Sequence, residues 1–511
     1  MKQFPSIFND VIGPVMIGHS SSHTAASVRI GRVIRQLAGN DSVKHVKFSF
    51  DKNSSLAATY NSQGSDLGLL AGILGYDTYD REILEAFKLA EENGIQYDFE
   101  VKDIGPGHPN TYYIEFICKI GKVIKLTAVS TGGGMFEIIE YMGFPVLIDG
   151  GFFEILVICE RNDKELITGI LKEKLPSGHI AEVSDKGEKS LINIKSEKEI
   201  SDLLLQYSDV RVIRPIMPVT SQINPHVPFI TGGKMKNFAK EKHLPLWQLA
   251  IIYESERSGL SKDEVMNKML DIISILKKSL DTPLSEDFSR RILHNQHHLL
   301  EGKNLLGGSF TKRVIEYITW FMDIKSSMGV FVAAPTAGSC GCLPGTVFAL
   351  SKEMELDDEA MAKAMLSAGL IGVIIAYYST FAAEVCGCQA ECGAGSGMCA
   401  GACTEIMGGS AEECLAAASM ALQNVFGMVC DPVSNKVEVP CLGKNIMCGF
   451  NGIASANMAI SGFSEVIPID ETIKAMDSVG KSIPRELRCT GLGGLSVTSS
   501  GQKIKKELGE S

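Results

Sequence analysis

Residues able to do chemistry crowd into a few short stretches of this chain. Residues 384–403, EVCGCQAECGAGSGMCAGAC, hold Cys386, Cys388, Cys392, Cys399 and Cys403. Cys430 follows in VCDPV and Cys441 in VPCLG, whereas of the fourteen cysteines only Cys118 and Cys159 precede position 340. Composition alone allows a metal or cluster site, a disulfide scaffold, or small apolar packing. The N-terminus, MKQFPSIFND, has no apolar h-region and no cleavage signature. That points to the cytoplasm, where thiols stay reduced. Spacing selects no ligand set, because paired CxxC modules and ferredoxin-type runs are both missing. It leaves room for a cluster held by cysteines from three separate loops. One iron left open in such a cluster is a Lewis acid for a carboxylate and a hydroxyl, and a nearby base then takes the α-proton.

Two further constellations lie near the N-terminus. GHSSSHT, residues 18–24, packs Ser20, Ser21, Ser22, His23 and Thr24 into the opening of a helix. Free N–H groups at a helix start, surrounded by hydroxyls, suit an anion such as a carboxylate. One serine would serve as a cap, so four hydroxyls and an imidazole favour binding. GPGHPNT, residues 105–111, sets His108, Asn110 and Thr111 in a turn ahead of a strand; taken alone it reads as structure. The glycine run 132–134 is a weak phosphate-loop signal, since no Lys-Ser/Thr helix follows.

The elements that must position these residues divide the chain in three. Residues 1–150 alternate between strand and helix signals. HVKFSF reads as a strand, SDLGLLAGILGY and ILEAFKLAEENG as helices, and TYYIEFICKI with VIKLTAVS as a hairpin turning at Gly121-Lys122; STGGG then reads as a loop. Residues 151–220 read as a small β-α-β-α-β unit built from EILVICE, NDKELITGILKEKL, SLINIK, EKEISDLLLQY and VRVIRPIMPV, with room for one strand more at HIAEVSD. Residues 221–511 are helical by pattern. They include SKDEVMNKMLDIISILKKSL with its Ser cap and acidic first turn, LDDEAMAKAML and SAEECLAAASMALQNVFG. The cysteine-bearing, glycine-rich segments APTAGSCGCLPG, EVCGCQAECGAGSG, CDPVSNKVEVPCLGKN and CTGLGGLS read as loops between the helices.

Bulk properties bound the function. The 511 residues carry 45% apolar and 21% charged side chains, as a folded multidomain protein does. A net charge of −11 argues against nucleic acid or an anionic membrane as partner. The uncharged run 364–383 is long enough to span a bilayer. It is single, rich in Ala, Gly and Ser, and feeds straight into the cysteine stretch, so it reads as a buried central helix.

Taken together, GPVMIGHSSSHTAASVRIGR, GHPNT, STGGG, APTAGSCGCLPGT, GCQAECGAGSGM, CDPVSNKVEVPC and GLGGL resemble, in order, the signature loops of the iron–sulfur-dependent L-serine dehydratases. The resemblance covers essentially the whole chain. It implies a multidomain α+β architecture: an α+β β-domain (1–150), an ACT-like segment (151–220) and a helical, cluster-binding α-domain (221–511). It implies Cys388, Cys430 and Cys441 as the three thiolates of a [4Fe-4S] cluster, and no pyridoxal phosphate. It implies a small amino-acid substrate lined by Ser20, Ser21, Ser22, Thr24, Asn110 and Thr111 on one side, and by Thr336, Ala337, Gly338 and Ser339 on the other. Asn445 and Lys444 follow the last ligand, with His23, His108 and Lys444 as candidate catalytic groups. Elimination of water from serine to pyruvate and ammonium, in a cytoplasmic homodimer without nucleic-acid or membrane partners, is the expected setting. Cys386, Cys392, Cys399 and Cys403 are expected to be small buried thiols.

Three departures from the family pattern stand out. Gln63 takes the place of a histidine, His19 takes the place of a proline, and no cysteine follows Cys489, whereas some members end in a cysteine that plugs the active site; Cys489 itself stands where relatives tend to carry Glu. Gln63 and His19 leave threonine, D-serine or L-cysteine as alternative substrates of the same chemistry. A cluster-based sensor is the reading from another class.

Overall fold

Alternating apolar residues and short turns make the first half of the chain rich in strands. In chain order these are β1 (Val15–Met16), β2 (Val43–Asp51), β3 (Gln96–Lys102), β4 (Thr111–Cys118), β5 (Val123–Gly132), β6 (Met135–Tyr141), β7 (Phe144–Ile148), β8 (Phe153–Glu160), β9 (His179–Lys186), β10 (Lys189–Ser196), β11 (Val210–Ile213) and β12 (Phe331–Val332). They come from a computed structural model that describes residues 4–39, 42–105, 107–174, 178–199 and 210–509.

Six strands form one sheet in the order β3-β2-β4-β5-β6-β7, antiparallel except for the β2–β3 pair. A parallel pair needs a long crossover, and helices Ser65–Leu74 and Ala86–Glu92 supply it. Helix Ala26–Ala38 turns Ile30, Val33, Ile34 and Leu37 towards Phe48, Phe50 and Phe116 of the sheet. Its contact with Ser65–Leu74 is backbone on backbone: a Cβ at Gly72 would lie 2.0 Å from the Val28 carbonyl oxygen. STGGG is a tight turn here rather than an open loop, because β5 runs on to Gly132 and β6 begins at Met135. Gly132 has φ +105°, and a Cβ on it would meet Ala382 N at 2.6 Å. Bare backbone is what lets this tip of the sheet rest on the helical body.

A second sheet, order β11-β8-β10-β9, is antiparallel throughout and carries helix Lys164–Lys174 on one face. Its other face shares a core with the six-stranded sheet through Leu156, Leu191 and Ile213. The strand read at HIAEVSD is present as β9. VRVIRPIMPV is strand only over Val210–Ile213, ahead of Pro215 and Pro218, which cannot donate to a ladder. Most of the helix expected over EKEISDLLLQY lies outside the described residues.

The rest is helical and is built around Asp358–Tyr378, a helix apolar on every side. It is long and apolar enough to cross a membrane, but 78% of its apolar window is buried within the chain. Helices Cys392–Ile406 and Ala411–Gln423 pack against it, and helix Cys441–Ile460 packs against those two in turn. Two capping boxes, Ser261 with Glu264 and Ser410 with Glu413, start helices Lys262–Asp281 and Ala411–Gln423. Three of the expected loops need correction. CLPG of APTAGSCGCLPG opens helix Cys342–Met354, and CLGKN of CDPVSNKVEVPCLGKN opens helix Cys441–Ile460. CGAGSG, the second part of EVCGCQAECGAGSG, is the first part of helix Cys392–Ile406, because the glycines of that helix are contact points. A Cβ at Gly401 would sit 2.0 Å from Ile371 Cδ1, and one at Gly397 would sit 2.9 Å from Leu422. Close packing outweighs the poor helix propensity of glycine.

The N-terminal segment belongs to this helical core. Ile7, Phe8, Val11 and Ile12 are buried in it, and β1 pairs with β12. Buried Glu254 fixes the segment, accepting from Ser6 Oγ (2.7 Å), Ile7 N (2.8 Å) and Arg257 Nε (3.0 Å). Arg257 also reaches Ser221 Oγ and the Thr220 carbonyl. The GHSSSHT loop thereby leaves the helical body at a fixed point.

Candidate active site

Three short backbone segments carry the cysteines singled out above. Cys388 opens a single helical turn, Cys388–Ala390. Gln389 locks that turn: its Nε2 donates to the Met476 carbonyl (2.5 Å), and its Oε1 accepts from Gly427 N (2.8 Å). Cys430 lies against the segment 487–489, its N–H donating to the Leu487 carbonyl and its carbonyl accepting from Cys489 N, both at 2.8 Å. The CTGLGGLS segment holds this loop from behind, with Leu495 N on Asp431 Oδ2 (2.9 Å) and Ser496 Oγ on the Pro432 carbonyl (2.7 Å). Cys441 is the first residue of helix Cys441–Ile460.

The three thiols are buried, and Cys430 and Cys441 each lie within electrostatic reach of Cys388. The Cys489 thiol and burial push Cys430 up. Burial and the Cys388 charge push Cys441 up, against Lys325 and Lys444. A hydrogen bond from the Cys392 thiol, helped by Lys444 and opposed by burial, brings Cys388 down to about 7. Lys444 reports the convergence. Burial works against its charge, yet Cys388, Cys430, Asp431 and Cys441 together hold it above the ordinary lysine range. Its Nζ donates to the Val429 carbonyl (2.7 Å) and Asp431 Oδ1 (3.1 Å). A second lysine, fully buried Lys325, donates to the Val437 carbonyl.

Buried thiolates need a cation or metal to offset their lost hydration. This donor set is all thiol, comes from three segments, and has two lysines to balance charge. Among the described residues no three His, Cys, Asp or Glu side chains close on one point as a single ion requires. A cluster spreads its ligands over separate irons, and three buried thiols on three segments with lysines beside them are the donor chemistry that suits one. All fourteen cysteines are free. Cys399 and Cys403 form a separate thiol contact (3.9 Å) inside the bundle, whereas Cys392 touches the Gly338 carbonyl (3.6 Å) and belongs to the site's wall.

The Ser/His loop meets the helical body beside these segments. Residues Ser21–Ala25 form one wide helical turn that runs into helix Ala26–Ala38, and all five are buried. Ser21 Oγ accepts from Ala337 N (3.2 Å), so the loop touches the APTAG segment of the helical body. Thr24 Oγ1 donates to the Gln63 carbonyl (2.8 Å). Ser22 is buried beside them. His23 is fully buried, with Nδ1 3.0 Å from Ser20 Oγ and Nε2 2.7 Å from Thr59 Oγ1. The Thr59 hydroxyl proton is already committed to the Ser55 carbonyl (2.7 Å). Nε2 therefore carries the imidazole proton, and the Nδ1 lone pair faces Ser20. Burial holds His23 down at about 3, so it is neutral at ordinary pH. Burial, and then Lys436, Lys325, Arg291 and Arg290, keep His19 neutral too.

The remaining expected residues fall into two groups. Thr336 Oγ1 donates to Glu391 Oε1 (2.8 Å), and Gly338 lets that carboxylate in, since a Cβ there would meet Oε1 at 2.8 Å. Ser339 caps the same turn. Asn445 is saturated by the backbone: Nδ2 donates to the Gly338 and Cys441 carbonyls (2.8 Å each), and Oδ1 accepts from Cys342 N (2.9 Å). It splices three segments. In the HPNT turn, Thr111 Oγ1 donates to the His108 carbonyl (2.8 Å), and His108 Nδ1 accepts from Asn110 N (3.2 Å). Burial lowers the His108 imidazole. His108 borders two clefts, of about 380 and 440 Å³, between the sheet and the helical body. The larger reaches Ser54, Ser55, Thr111, Glu384 and Arg488.

Sequence reasoning missed two carboxylates here. Glu384 Oε1 lies 3.6 Å from His23 Nδ1. Burial raises its carboxyl, which Asn110 partly counters. Glu391 is pushed up to about 8, first by burial and then by the Cys388 and Glu384 charges. The available signal was their position, since both flank GCQ in an otherwise uncharged stretch. The departures Gln63 and Cys489 meet each other: Gln63 Nε2 is 3.5 Å from Cys489 Sγ.

A mixed α+β chain whose sheet domain lays a Ser/His loop over buried thiols of a helical domain has the build of an enzyme with an interdomain active site. Residues 241–496 match the family model described as serine dehydratase alpha chain, and the chain belongs to that family. A probable L-serine dehydratase alpha chain of Bacillus subtilis is 34% identical over 275 residues, which are 53% of this chain and 91% of the relative. The probable beta chain from the same organism is 40% identical over 210 residues, 40% of this chain and 92% of the relative. An L-serine dehydratase of Helicobacter pylori is 23% identical over 96% of this chain and 98% of its own length.

Proposed function

We propose that this chain is an L-serine ammonia-lyase, removing water across the Cα–Cβ bond of L-serine to give aminoacrylate, which takes up water again as it breaks down to pyruvate and ammonium. One juxtaposition carries the reading. The Ser/His loop sits, through Ser21 and Ala337, against the segment that also touches Cys392 and Asn445 beside the three thiols. Cys388, Cys430 and Cys441 would hold a [4Fe-4S] cluster, which supplies Lewis-acid polarisation of the hydroxyl that leaves.

The chain's own groups do the rest. Ser20, Ser21, Ser22, Thr24, Asn110 and Thr111 line the substrate from the sheet side, and Thr336, Gly338 and Ser339 line it from the helical side. His23 offers an uncharged Nδ1 lone pair, able to take a proton. His108 closes the cleft. Lys444 keeps a positive charge beside the thiols, and Asn445 sets the spacing of the loops around them. The sheet domain (1–150), the small β-α-β unit (151–220) and the helical domain (221–511) act together in this reading, the second as an ACT-like unit. No pyridoxal phosphate takes part.

The test is anaerobic purification with iron and sulfide analysis, followed by pyruvate and ammonium release from L-serine. Cys388→Ala, Cys430→Ala and Cys441→Ala are each expected to lose iron and turnover while remaining folded, and Cys403→Ala to keep both. Full activity of iron-free protein supplied with pyridoxal phosphate would overturn the proposal.

A further inference from the structure

Buried polar side chains almost always find hydrogen-bond partners, and the cost of failing is large enough to demand a reason. Near the site, three neighbouring residues fail together. Asn110 is fully buried, its Nδ2 turned to Glu384 without completing a hydrogen bond and its Oδ1 unpartnered; Ser130 is fully buried with Oγ unpartnered; Glu384 is 5% exposed with Oε2 unpartnered. They lie side by side. Ser130 N donates to the Asn110 carbonyl across β4 and β5 (3.0 Å), and the Asn110 side chain faces Glu384. The larger cleft leads to Glu384.

Glu384 is unusual in another way. Among the described residues its one basic neighbour within ion-pair range is His23, which is neutral. A carboxylate in this position lacks a cation. The Nδ1 lone pair of His23, 3.6 Å from Oε1, cannot supply one.

We infer that Glu384, Asn110 and Ser130 form the subsite that receives the α-ammonium group of the amino-acid substrate. The inference rests on the lyase reading and adds the feature that tells an amino acid from a plain hydroxy acid. An ammonium has three N–H donors and no acceptor. Glu384 Oε2, Asn110 Oδ1 and Ser130 Oγ are three acceptors with nothing to accept. A cation docked there satisfies all three and lets Glu384 ionise away from water. The carboxylate and β-hydroxyl of serine are then left to the Ser/His loop and the thiol-bearing wall. A hydroxy acid lacking the ammonium leaves a buried carboxyl and two polar groups unsatisfied, and rejection on that basis is steep.

The experiment compares L-serine with 3-hydroxypropanoate, the same molecule with hydrogen in place of the ammonium. Both are titrated into anaerobically purified holoenzyme, with binding read from the change in the cluster's electron paramagnetic resonance and visible spectra. Wild-type enzyme is expected to prefer serine. Glu384→Gln is expected to lose at least about tenfold of that preference. Its affinity for 3-hydroxypropanoate should hold, and its KM for serine should rise more than its kcat falls. Adding Asn110→Asp to Glu384→Gln returns a carboxylate to the subsite and is expected to recover part of the preference. Ser130→Ala removes one acceptor and adds no charge. It is expected to weaken serine alone by a few-fold, and it serves as the readout if Glu384→Gln does not fold. An unchanged preference in these variants, with serine turnover intact in wild type, overturns the subsite alone. So does a Glu384→Gln enzyme that loses kcat at unchanged preference, since Glu384 would then be the proton acceptor. A wild-type spectrum indifferent to serine overturns the lyase reading and the subsite with it.

Discussion

His23 offers the sharpest test of the electrostatics. Its imidazole is fully buried and held between Ser20, Thr59 and Glu384, and burial lowers it from 6.5 to about 3. In the unfolded chain it titrates normally. A depressed folded value gives stability that is fully present above 6.5 and is lost as the pH falls towards 3. At about pH 5 the unfolded imidazole has taken up its proton and the folded one has not. The gap is then about 1.5 pH units, or about 2 kcal/mol. His23→Asn keeps a hydrogen-bonding amide and cannot titrate. Urea unfolding of the wild type at about pH 7 and about pH 5 should therefore show a loss about 2 kcal/mol larger than in His23→Asn. Nitrogen-labelled histidine gives the direct reading: the His23 ring should stay neutral, protonated on Nε2, over that whole range. Equal acid sensitivity in the two proteins, or an imidazolium signal from His23 near pH 6, would refute the burial argument. It would also remove the basis for a neutral Nδ1 in the site.

Two other buried charges give predictions with separate readouts. Glu254→Ala strands the Arg257 guanidinium, 3% exposed, and frees the N-terminal segment at Ser6 and Ile7. A loss of about 3–5 kcal/mol is expected, with hydrogen exchange rising first around Ile7–Val11; a melting curve like the wild type's would count against the clamp. Glu154 is fully buried, both carboxylate oxygens lack partners, and burial, only partly countered by Lys195, raises it to about 8. A raised carboxyl gives stability that is present below its ordinary 4.5 and lost as the pH climbs through about 8. Glu154→Gln should accordingly be the more stable protein above that pH, by on the order of 5 kcal/mol, and should show a flatter pH–stability curve.

Where local signals agreed with one another, the chain was readable. Ser261 with Glu264 and Ser410 with Glu413 are capping boxes ahead of amphipathic runs, and both start helices. The alternation in TYYIEFIC and the turn at Gly121 produced the β4–β5 hairpin. Misreading came where glycine served packing rather than turning. Local propensity argued for a loop through CGAGSG, because three glycines in six residues are poor helix formers. Yet Gly397 and Gly401 are where Leu422 and Ile371 press in, a fact that lives in the tertiary contact alone. The N-terminal segment was opaque for the same reason: IFNDVIG has no partner in its own sequence neighbourhood and finds one 247 positions away, at Glu254.

The site was legible to the extent that its chemistry broke the local pattern. Hydroxyls beyond the needs of a cap marked the Ser/His loop, and that excess is visible in the contacts. Ser20 serves His23, Ser21 serves Ala337, and Thr24 serves Gln63, so none of them simply caps the helix. The cysteine count was less informative than it looked, because thiols serve both as ligands and as small apolar filler. Cys399 and Cys403 touch at van der Waals distance inside one helix, while Cys388, in a separate turn ahead of that helix, lies within reach of the Lys444 charge. The surroundings of Cys388 are charged, and charge was the signal left unused. Glu384 and Glu391 stand in a stretch that otherwise carries no charge between Lys363 and Glu405. A carboxylate retained among buried alanines and glycines costs stability wherever it lacks a partner. Its presence there asks what it binds, and the unpartnered oxygen of Glu384 beside Asn110 poses that question at one atom.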